Sequence, residues 1–546
     1  MNISPILAQL LINRGTKEAL SARRFLKADL KDLRDPYIFK DMERAVDRIL
    51  KAINSDERIL IYGDYDVDGI SSIALLFFIL KEFTLNLYYY IPNRFQEGYG
   101  LNEKAIDIAF ENNFKLIVTV DCGINSICEI RKANNYGIDV IVIDHHQPQK
   151  DVPSAMAIIN PKYDTNYPFR ELAGVGVSYK VAQALYLKLK RNQDDLRNLL
   201  DYVALGSIAD SVPFIDENRI LIKCGLKVLN QTDKEGLKAL IVESGVDYGN
   251  LGTKEVNFAL APRINAAGRL DDPKLALELL LTDSESKAKY LSRKLSEINK
   301  YRQDVGDNIL REAREFAFKQ VEDEDNKVLV LASEDWNQGV IGIIASRLVD
   351  ELNRPIIIIS KKDGIGKGSG RSIKGFHLYK ALELCKDILI NFGGHQLAAG
   401  ITIEYNKIPE FKSRINKIAQ EFINEDDLNP ELEVDAQISL SDINFNLIKD
   451  INVLEPFGSG NPQPVFCSFK NMIYDWQLVG QSREHLKLKI KEENKILEGI
   501  GFGLSKMGSQ IFPESKVVDL AFNIELNKWN GTENIQLNIK DIKNNF

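Results

Sequence analysis

The spacing of apolar positions divides the chain into segments of different character. Up to about Lys51, Leu7, Leu10, Leu11 and later Met42, Ala45 and Ile49 fall at helical spacing, which predicts short helices forming a lead-in or cap. From Arg58 the pattern changes. The β-rich runs RILIY, LNLYYYIP, FKLIVTV and DVIVI alternate with the helical runs SSIALLFFILKEF, NEKAIDIAFENN and SICEIRKANNYG. That alternation predicts a parallel sheet covered by helices, and GVSYKVAQALYLKLKR and the run ending in GSIAD continue the domain. Between about Leu275 and Gln320, Ala288, Leu291, Leu295, Ile298, Val305, Leu310 and Ala313 recur near a helical period with few breakers, so one long helix should link two lobes. A second α/β unit follows in KVLVLAS, VIGIIASRLVDEL, PIIIIS and FHLYKALELCKDIL, with KKDGIGKGSG expected as a glycine-rich turn. Beyond the acidic linker NEDDLNPELE, short alternating strands such as HLKLKI and VVDLAFNIEL suggest a small β-barrel. The expected domains are 1–50, a helical lead-in; 51–274, a parallel-sheet α/β domain; 275–324, a connecting helix; 325–424, the second α/β domain; and 425–546, the barrel.

Chemistry gathers where the strands of the first α/β unit stop. RILIY runs into Asp64, Asp66 and Asp68, KLIVTV into Asp121, VIVI into Asp144, His145 and His146, and Asp210 closes ALGSIAD. In a parallel sheet these carboxyl edges converge on one crevice. Ionised carboxylates within about 5 Å repel by roughly 3 kcal/mol per pair at an effective dielectric near 20, so cations are needed among them. Aspartate with a little imidazole suits Mn²⁺ or Mg²⁺, and two such ions would activate water and clamp a phosphoryl group. A single Asp after a strand is more often a helix N-cap than a ligand, but three in one turn are not all needed as caps. His145 and His146 are equally open to a packed role or to a division into one ligand and one phosphate partner. Cys122, beside Asp121, reads as a small buried residue rather than a nucleophile.

Length and charge narrow the setting. A chain of 546 residues with 44% hydrophobic residues can bury several cores, and its net charge of −8 argues against a generally basic surface for nucleic acid. Any polyanion must be held by local patches or metal ions. The longest wholly apolar stretch, Ile73–Leu80, falls far short of the roughly 20 residues of a membrane span. The first residues lack the pattern of an export leader, and five cysteines without a CxxC pair fit neither a disulfide framework nor a zinc knuckle. A cytoplasmic protein is expected, with no membrane association.

The motifs GDYDVDGISS, NRFQEGYGLN, VTVDCGIN, VIDHHQP and ALGSIADSVP, in this order, resemble those of the DHH phosphoesterase superfamily, named for the triplet present here as Asp144-His145-His146. RINAAGRL, GSGRS and GGHQLAAG resemble the RecJ branch and its DHH-associated domain. The resemblance implies a DHH catalytic domain, a DHH-associated domain and an OB-like nucleic-acid-binding barrel, acting together as a 5′→3′ single-stranded-DNA exonuclease in repair and recombination. It implies two cations, Mn²⁺ or Mg²⁺, ligated by Asp66, Asp68, Asp121, His145 and Asp210, with Asp121 bridging. Asp144 would orient histidine and His146 would meet the scissile phosphate. Relatives outside this branch carry a histidine four residues ahead of the first of these aspartates, where this chain has Tyr62, and Asp64 is then a further candidate ligand, direct or through water.

Residues 361–374 carry five positive charges and one negative charge. By resemblance, Ser369 and Arg371, with Arg94, would bind a terminal 5′-phosphate, while Arg269 and His395 would contact phosphates near the metals. Residues 287–302, with six positive charges and one negative, could follow a backbone or simply form a solvated face. In the barrel, LEPFGSGNPQPVF precedes Phe469, Tyr474, Trp476 and REHLKLKIK, a mixture that suits base stacking and electrostatic tracking of single strands. A monomer is expected, with a helicase and a single-strand-binding protein as partners. The rival readings are a DHH phosphodiesterase for short oligonucleotides or cyclic dinucleotides, and a non-catalytic nucleic-acid-binding scaffold.

Overall fold

The computed structural model describes residues 3–94, 96–323, 325–492, 495–512, 516–529 and 532–544. The chain forms two compact units, one of residues 1–261, 277–288 and 433–546, the other of 262–276 and 289–432.

The first unit begins with helices α1 (Pro5–Asn13), α2 (Ala19–Lys27) and α3 (Met42–Asn54). Ser4 caps α1 by accepting the Leu7 amide, and proline fills the first helical position, where a missing N–H costs nothing. Five strands then pair in the order β2-β1-β3-β4-β5: β1 (Arg58–Gly63), β2 (Leu87–Tyr90), β3 (Phe114–Val120), β4 (Asp139–Ile143) and β5 (Ala157–Ile159). Every pairing is parallel. Helices cover both faces of such a sheet, which is why Ile59, Leu60 and Ile61 are all buried rather than alternating. The crossovers are α4 (Val67–Lys81), α5 (Glu103–Glu111) and α6 (Ile127–Asn135), and α7 (Gly174–Lys188), α8 (Leu200–Ala209) and α9 (Asp216–Leu229) complete the domain. α4 packs against both α7 and α8, so all three are buried nearly all round.

The predicted single linking helix is interrupted. One helix ends at Leu281 and another runs Glu285–Val321, because Thr282, Asp283 and Ser284 offer the backbone local partners. Ser284 accepts the Lys287 amide through its hydroxyl and the Ala288 amide through its carbonyl. In the second unit the strands pair as β6-β7-β8-β10-β9: β6 (Leu329–Ser333), β7 (Ile356–Lys362), β8 (Ile365–Arg371), β9 (Asn391–Gly394) and β10 (Ala398–Glu404). Only β6 and β7 are parallel. The glycine-rich run is therefore a strand, not the expected turn. The turn is just Asp363-Gly364, both at positive φ, as a tight hairpin requires. Gly366, Gly368 and Gly370 face the core, where a methyl on Gly368 would come within 2.6 Å of Ile401.

The barrel strands β11 (Ala436–Gln437), β12 (Phe466–Val479), β13 (His485–Glu492), β14 (Lys495–Gly501), β15 (Val517–Trp529) and β16 (Thr532–Asn544) pair as β11-β12-β13-β14-β16-β15, and β12 pairing with β15 closes the sheet on itself. Its core joins Phe466, Leu486, Leu488, Phe522 and Leu537 to Leu7, Leu10, Leu11 and Ala22. Thus α1 and α2 help to fill a core otherwise built from residues after 437.

Candidate metal centre

Because β1, β3 and β4 are parallel neighbours, the residues that follow them emerge side by side. Asp64 follows β1, Asp121 follows β3 and Asp144 follows β4. Asp66 is the N-cap of α4 and accepts the Gly69 amide at 3.0 Å, so its structural role and its proximity to the crevice coexist. Asp68 accepts the first two amides of α7, Gly174 at 2.7 Å and Val175 at 2.9 Å, which leaves each oxygen a second lone pair. Asp210 ends α8. Glycines let the helices come this close. A methyl on Gly174 would lie 2.7 Å from Asp121 Oδ1, and one on Gly206 would lie 2.9 Å from Asp68 Oδ1.

His145 stands at the middle of this ring. Its Nε2 is 3.1 Å from Asp121 Oδ1 and 3.8 Å from both Asp68 Oδ2 and Asp210 Oδ2. Burial and the neighbouring His146 push its pKa down to about 3, so it is a neutral imidazole, and its ring also bonds the Leu172 backbone. Asp144 accepts the His145 and His146 amides, the Ile124 amide and His146 Nδ1, the last at 2.8 Å. Burial opposes its ionisation, but these bonds hold its pKa down at about 2. Despite burial, the Asp144 partner raises His146 to about 9, making it an imidazolium at neutral pH. Asp144 thus orients His146 rather than joining the open carboxylates.

Ligand atoms lie within 4.8 Å of one another in three sets: Asp64, Asp66 and Asp121; Asp68, His145 and Asp210; and Asp121, His145 and His146. Asp64 Oδ1 and Asp121 Oδ1 are buried with no hydrogen-bond partner. Burial first, then mutual repulsion, pushes Asp64, Asp68 and Asp121 well above the usual carboxylate range and Asp210 up to about 7. Orphaned buried oxygens facing a neutral imidazole are the donor set of a divalent-cation site. The residues fit divalent cations, Asp121 and His145 each belonging to two of the three sets and Asp64 to one. Tyr62 is otherwise engaged. It is fully buried, donates to the Gly100 carbonyl at 2.7 Å and accepts from Asn102.

One neighbour escapes sequence reasoning. The Tyr99 hydroxyl is 3.0 Å from His146 Nε2 and donates to the Asp121 carbonyl at 3.3 Å. It lies within NRFQEGYGLN, but nothing in its spacing marks it as a partner of a histidine 47 residues away. Arg94 rests over the Tyr65 ring at 5.5 Å and bears electrostatically on Asp64.

Ser369, Arg371, Arg269 and His395 lie in the second unit. Strand alternation puts Ser369 and Arg371 on one face of β8, opposite to its core glycines, and Arg371 donates to Ser369 Oγ at 3.1 Å. A methyl on Gly342, in the first turn of the helix Ile341–Leu352, would meet both side chains. Arg269 donates to the Gly339 carbonyl, just ahead of the same helix, at 3.2 Å. His395 is exposed in the turn before β10, whose Ala398 pairs with Arg371. In the barrel, Phe469, Tyr474 and Trp476 are exposed on β12, and Lys487, Lys489 and Lys491 of β13 pair with it.

A parallel sheet whose strand ends converge on aspartates and a DHH triplet defines a DHH phosphoesterase, and residues 58–207 match the DHH family, N-terminal domain. Residues 325–421 match the DHHA1 domain and residues 434–541 the RecJ OB domain. The chain is 41% identical over 544 residues to the single-stranded-DNA-specific exonuclease RecJ of Bacillus subtilis, covering 99% of this chain and 68% of that one. The structure is similar to crystal structures of Thermus thermophilus RecJ in complex with Mn²⁺ (TM-score 0.87, 28% identity) and with Mg²⁺ (TM-score 0.77, 26% identity). Each comparison covers 100% of this chain, and 76% and 75% of the respective Thermus chains. The chain belongs to the RecJ family. Its cofactors are accordingly divalent cations of the Mn²⁺ or Mg²⁺ kind.

Proposed function

We propose that this chain is a metal-dependent exonuclease that degrades single-stranded DNA from the 5′ end, releasing 5′-mononucleotides. The observation that carries the reading is the overlap of three ligand sets, joined through Asp121 and His145, on the carboxyl edge of a parallel sheet, in a chain of the RecJ family. Asp66, Asp68, Asp121, His145 and Asp210, with Asp64, hold the two cations. When bound, the ions supply a water of lowered pKa and neutralise charge developing on the phosphoryl oxygens. His146, aimed by Asp144, would meet the scissile phosphate through Nε2, exchanging the Tyr99 hydroxyl for a phosphoryl oxygen. Tyr99 limits the rotation of that ring.

Two metals do not distinguish one strand end from the other. Polarity therefore needs an end-reader, and Ser369 with Arg371 at a helix N-terminus suits a terminal 5′-phosphate, Arg94 being the other candidate. Arg269 and His395 are further candidate phosphate contacts. The barrel holds the strand beyond, stacking bases on Phe469, Tyr474 and Trp476. The division into 51–274, 275–324, 325–424 and 425–546, the monomeric state, the cytoplasmic setting in repair and recombination, and cooperation with a helicase and a single-strand-binding protein belong to the same reading. No described helix is long and apolar enough to cross a membrane.

Digestion of 5′-labelled and 3′-labelled single strands, duplexes and dinucleotides with Mn²⁺, Mg²⁺ or EDTA tests the whole reading. Expected are mononucleotides from the 5′-labelled single strand and silence with EDTA. Cleavage confined to dinucleotides would establish the oligonucleotide phosphodiesterase instead, and strand binding without cleavage would establish the scaffold.

A further inference from the structure

The run LEPFGSGNPQPVF takes no part in the chemistry above, yet its first eight residues, Leu454–Asn461, fold onto the connection that leaves Asp210. Asp210 differs from three of its neighbours. Asp66, Asp68 and Asp144 are each held by backbone amides, whereas among the described residues no amide is seen to anchor the Asp210 carboxylate. Its place depends on the backbone at the end of α8, where Ser211 turns back at positive φ and Val212–Ile215 lead into α9.

That connection is clamped by the barrel. The Phe214 amide donates to the Ser459 carbonyl at 2.7 Å, and its ring lies so close to Gly458 that a methyl there would come within 2.3 Å. A methyl on Gly460 would meet Pro213 at 3.2 Å. Gly458 and Asn461 exchange two backbone bonds, and the Asn461 side chain donates to the Leu454 and Pro456 carbonyls, so the clamp is stiff. Arg219, fully buried in α9, donates to the carbonyls of Phe25, Val453, Glu455 and Pro456.

We propose that the Leu454–Asn461 loop is a positioning element of the metal centre: by gripping Pro213 and Phe214 it sets Asp210, so that barrel docking and completion of the cation site are one event. The inference rests on the reading that Asp210 holds a cation. Titration of the full chain with Mn²⁺ by calorimetry, beside steady-state hydrolysis of a 5′-phosphorylated oligonucleotide, tests it. In Gly458→Ala, Mn²⁺ binding at one site is expected to weaken about 10- to 100-fold, as for loss of an outer-shell support. kcat should fall by a similar factor while KM holds and the protein stays folded, its melting temperature lowered by overpacking against Phe214. Adding Phe214→Leu, which removes the colliding ring atoms, should restore much of the Mn²⁺ affinity. A folded Gly458→Ala protein with unaltered Mn²⁺ binding and kcat overturns the proposal. Should that variant fail to fold, Gly460→Ala decides, with a smaller loss of Mn²⁺ affinity expected. Unaltered Mn²⁺ binding in Gly460→Ala, or loss of fold in both variants, overturns positioning in favour of a purely structural clasp. Asp210→Asn separates the two levels, because unaltered Mn²⁺ binding there removes the metal assignment itself.

Discussion

The two α/β sheets place their charged residues by opposite rules. In the first sheet all strands run the same way, and the aspartates lie past the strand ends, bunched until Asp64 Oδ1 and Asp121 Oδ1 lack partners. In the second the strands beyond β7 alternate in direction, and Ser369 and Arg371 lie along the length of β8, satisfied by one another and by Gly370. Strand direction thus separates a cation site gathered at a sheet edge from an anion-facing row along a strand. The former concentrates like charge at one edge, while the latter spreads donors over a face.

The sharpest way to break this contrast is to remove a carboxylate shared by two of the three ligand sets. Asp121→Asn should reduce hydrolysis to the level of the EDTA-treated protein and abolish at least one Mn²⁺ in calorimetry, while long single strands still bind. Arg371→Ala should act on the other side of the divide. Loss of a charge-assisted bond of about 1.5–3 kcal/mol predicts a kcat/KM lower by about 10- to 150-fold on 5′-phosphorylated strands, with the advantage over 5′-hydroxyl strands narrowed and Mn²⁺ affinity unchanged. An undiminished preference would move end recognition to Arg94.

Gly368→Val separates packing from anion binding within β8. Overpacking against Ile401 should cost about 1–3 kcal/mol in denaturant unfolding and leave Mn²⁺ affinity untouched. A variant of unaltered stability that loses only the 5′-phosphate preference would instead give the β8 glycines a part in holding the anion. Tyr99→Phe, the mildest change, deletes one hydroxyl and should cost about 0.5–1.5 kcal/mol in kcat without altering Mn²⁺ binding. A loss as large as that of Asp121→Asn would place Tyr99 at the reacting phosphate itself.

What could be read without coordinates follows the same divide. The first sheet was legible because a buried parallel strand announces itself as an unbroken apolar run, and its end, where Asp64, Asp121 and Asp144 stand, is the only place polar groups can gather. β8 was misread because glycines usually mark turns, and only the isoleucines facing Gly366, Gly368 and Gly370 reveal that the missing side chains make room for a packed face. Tyr99 and Phe214 act through contacts at long sequence separation, with His146 and Ser459, which no local period encodes.

The mixed ancestry of the barrel core also bears on how the molecule is made. Leu7, Leu10 and Leu11 sit with strands after residue 437, and Asn13 donates to the Asp435 carbonyl across 422 positions of chain. At a synthesis rate of about 5–20 residues per second, that separation is about 20–80 s during which an apolar helix exists without its final neighbours. The newborn chain must shelter that stripe while the parallel sheet folds behind it. Protein refolded from denaturant has both halves of the barrel core present from the start, so it reaches the same structure in a different order.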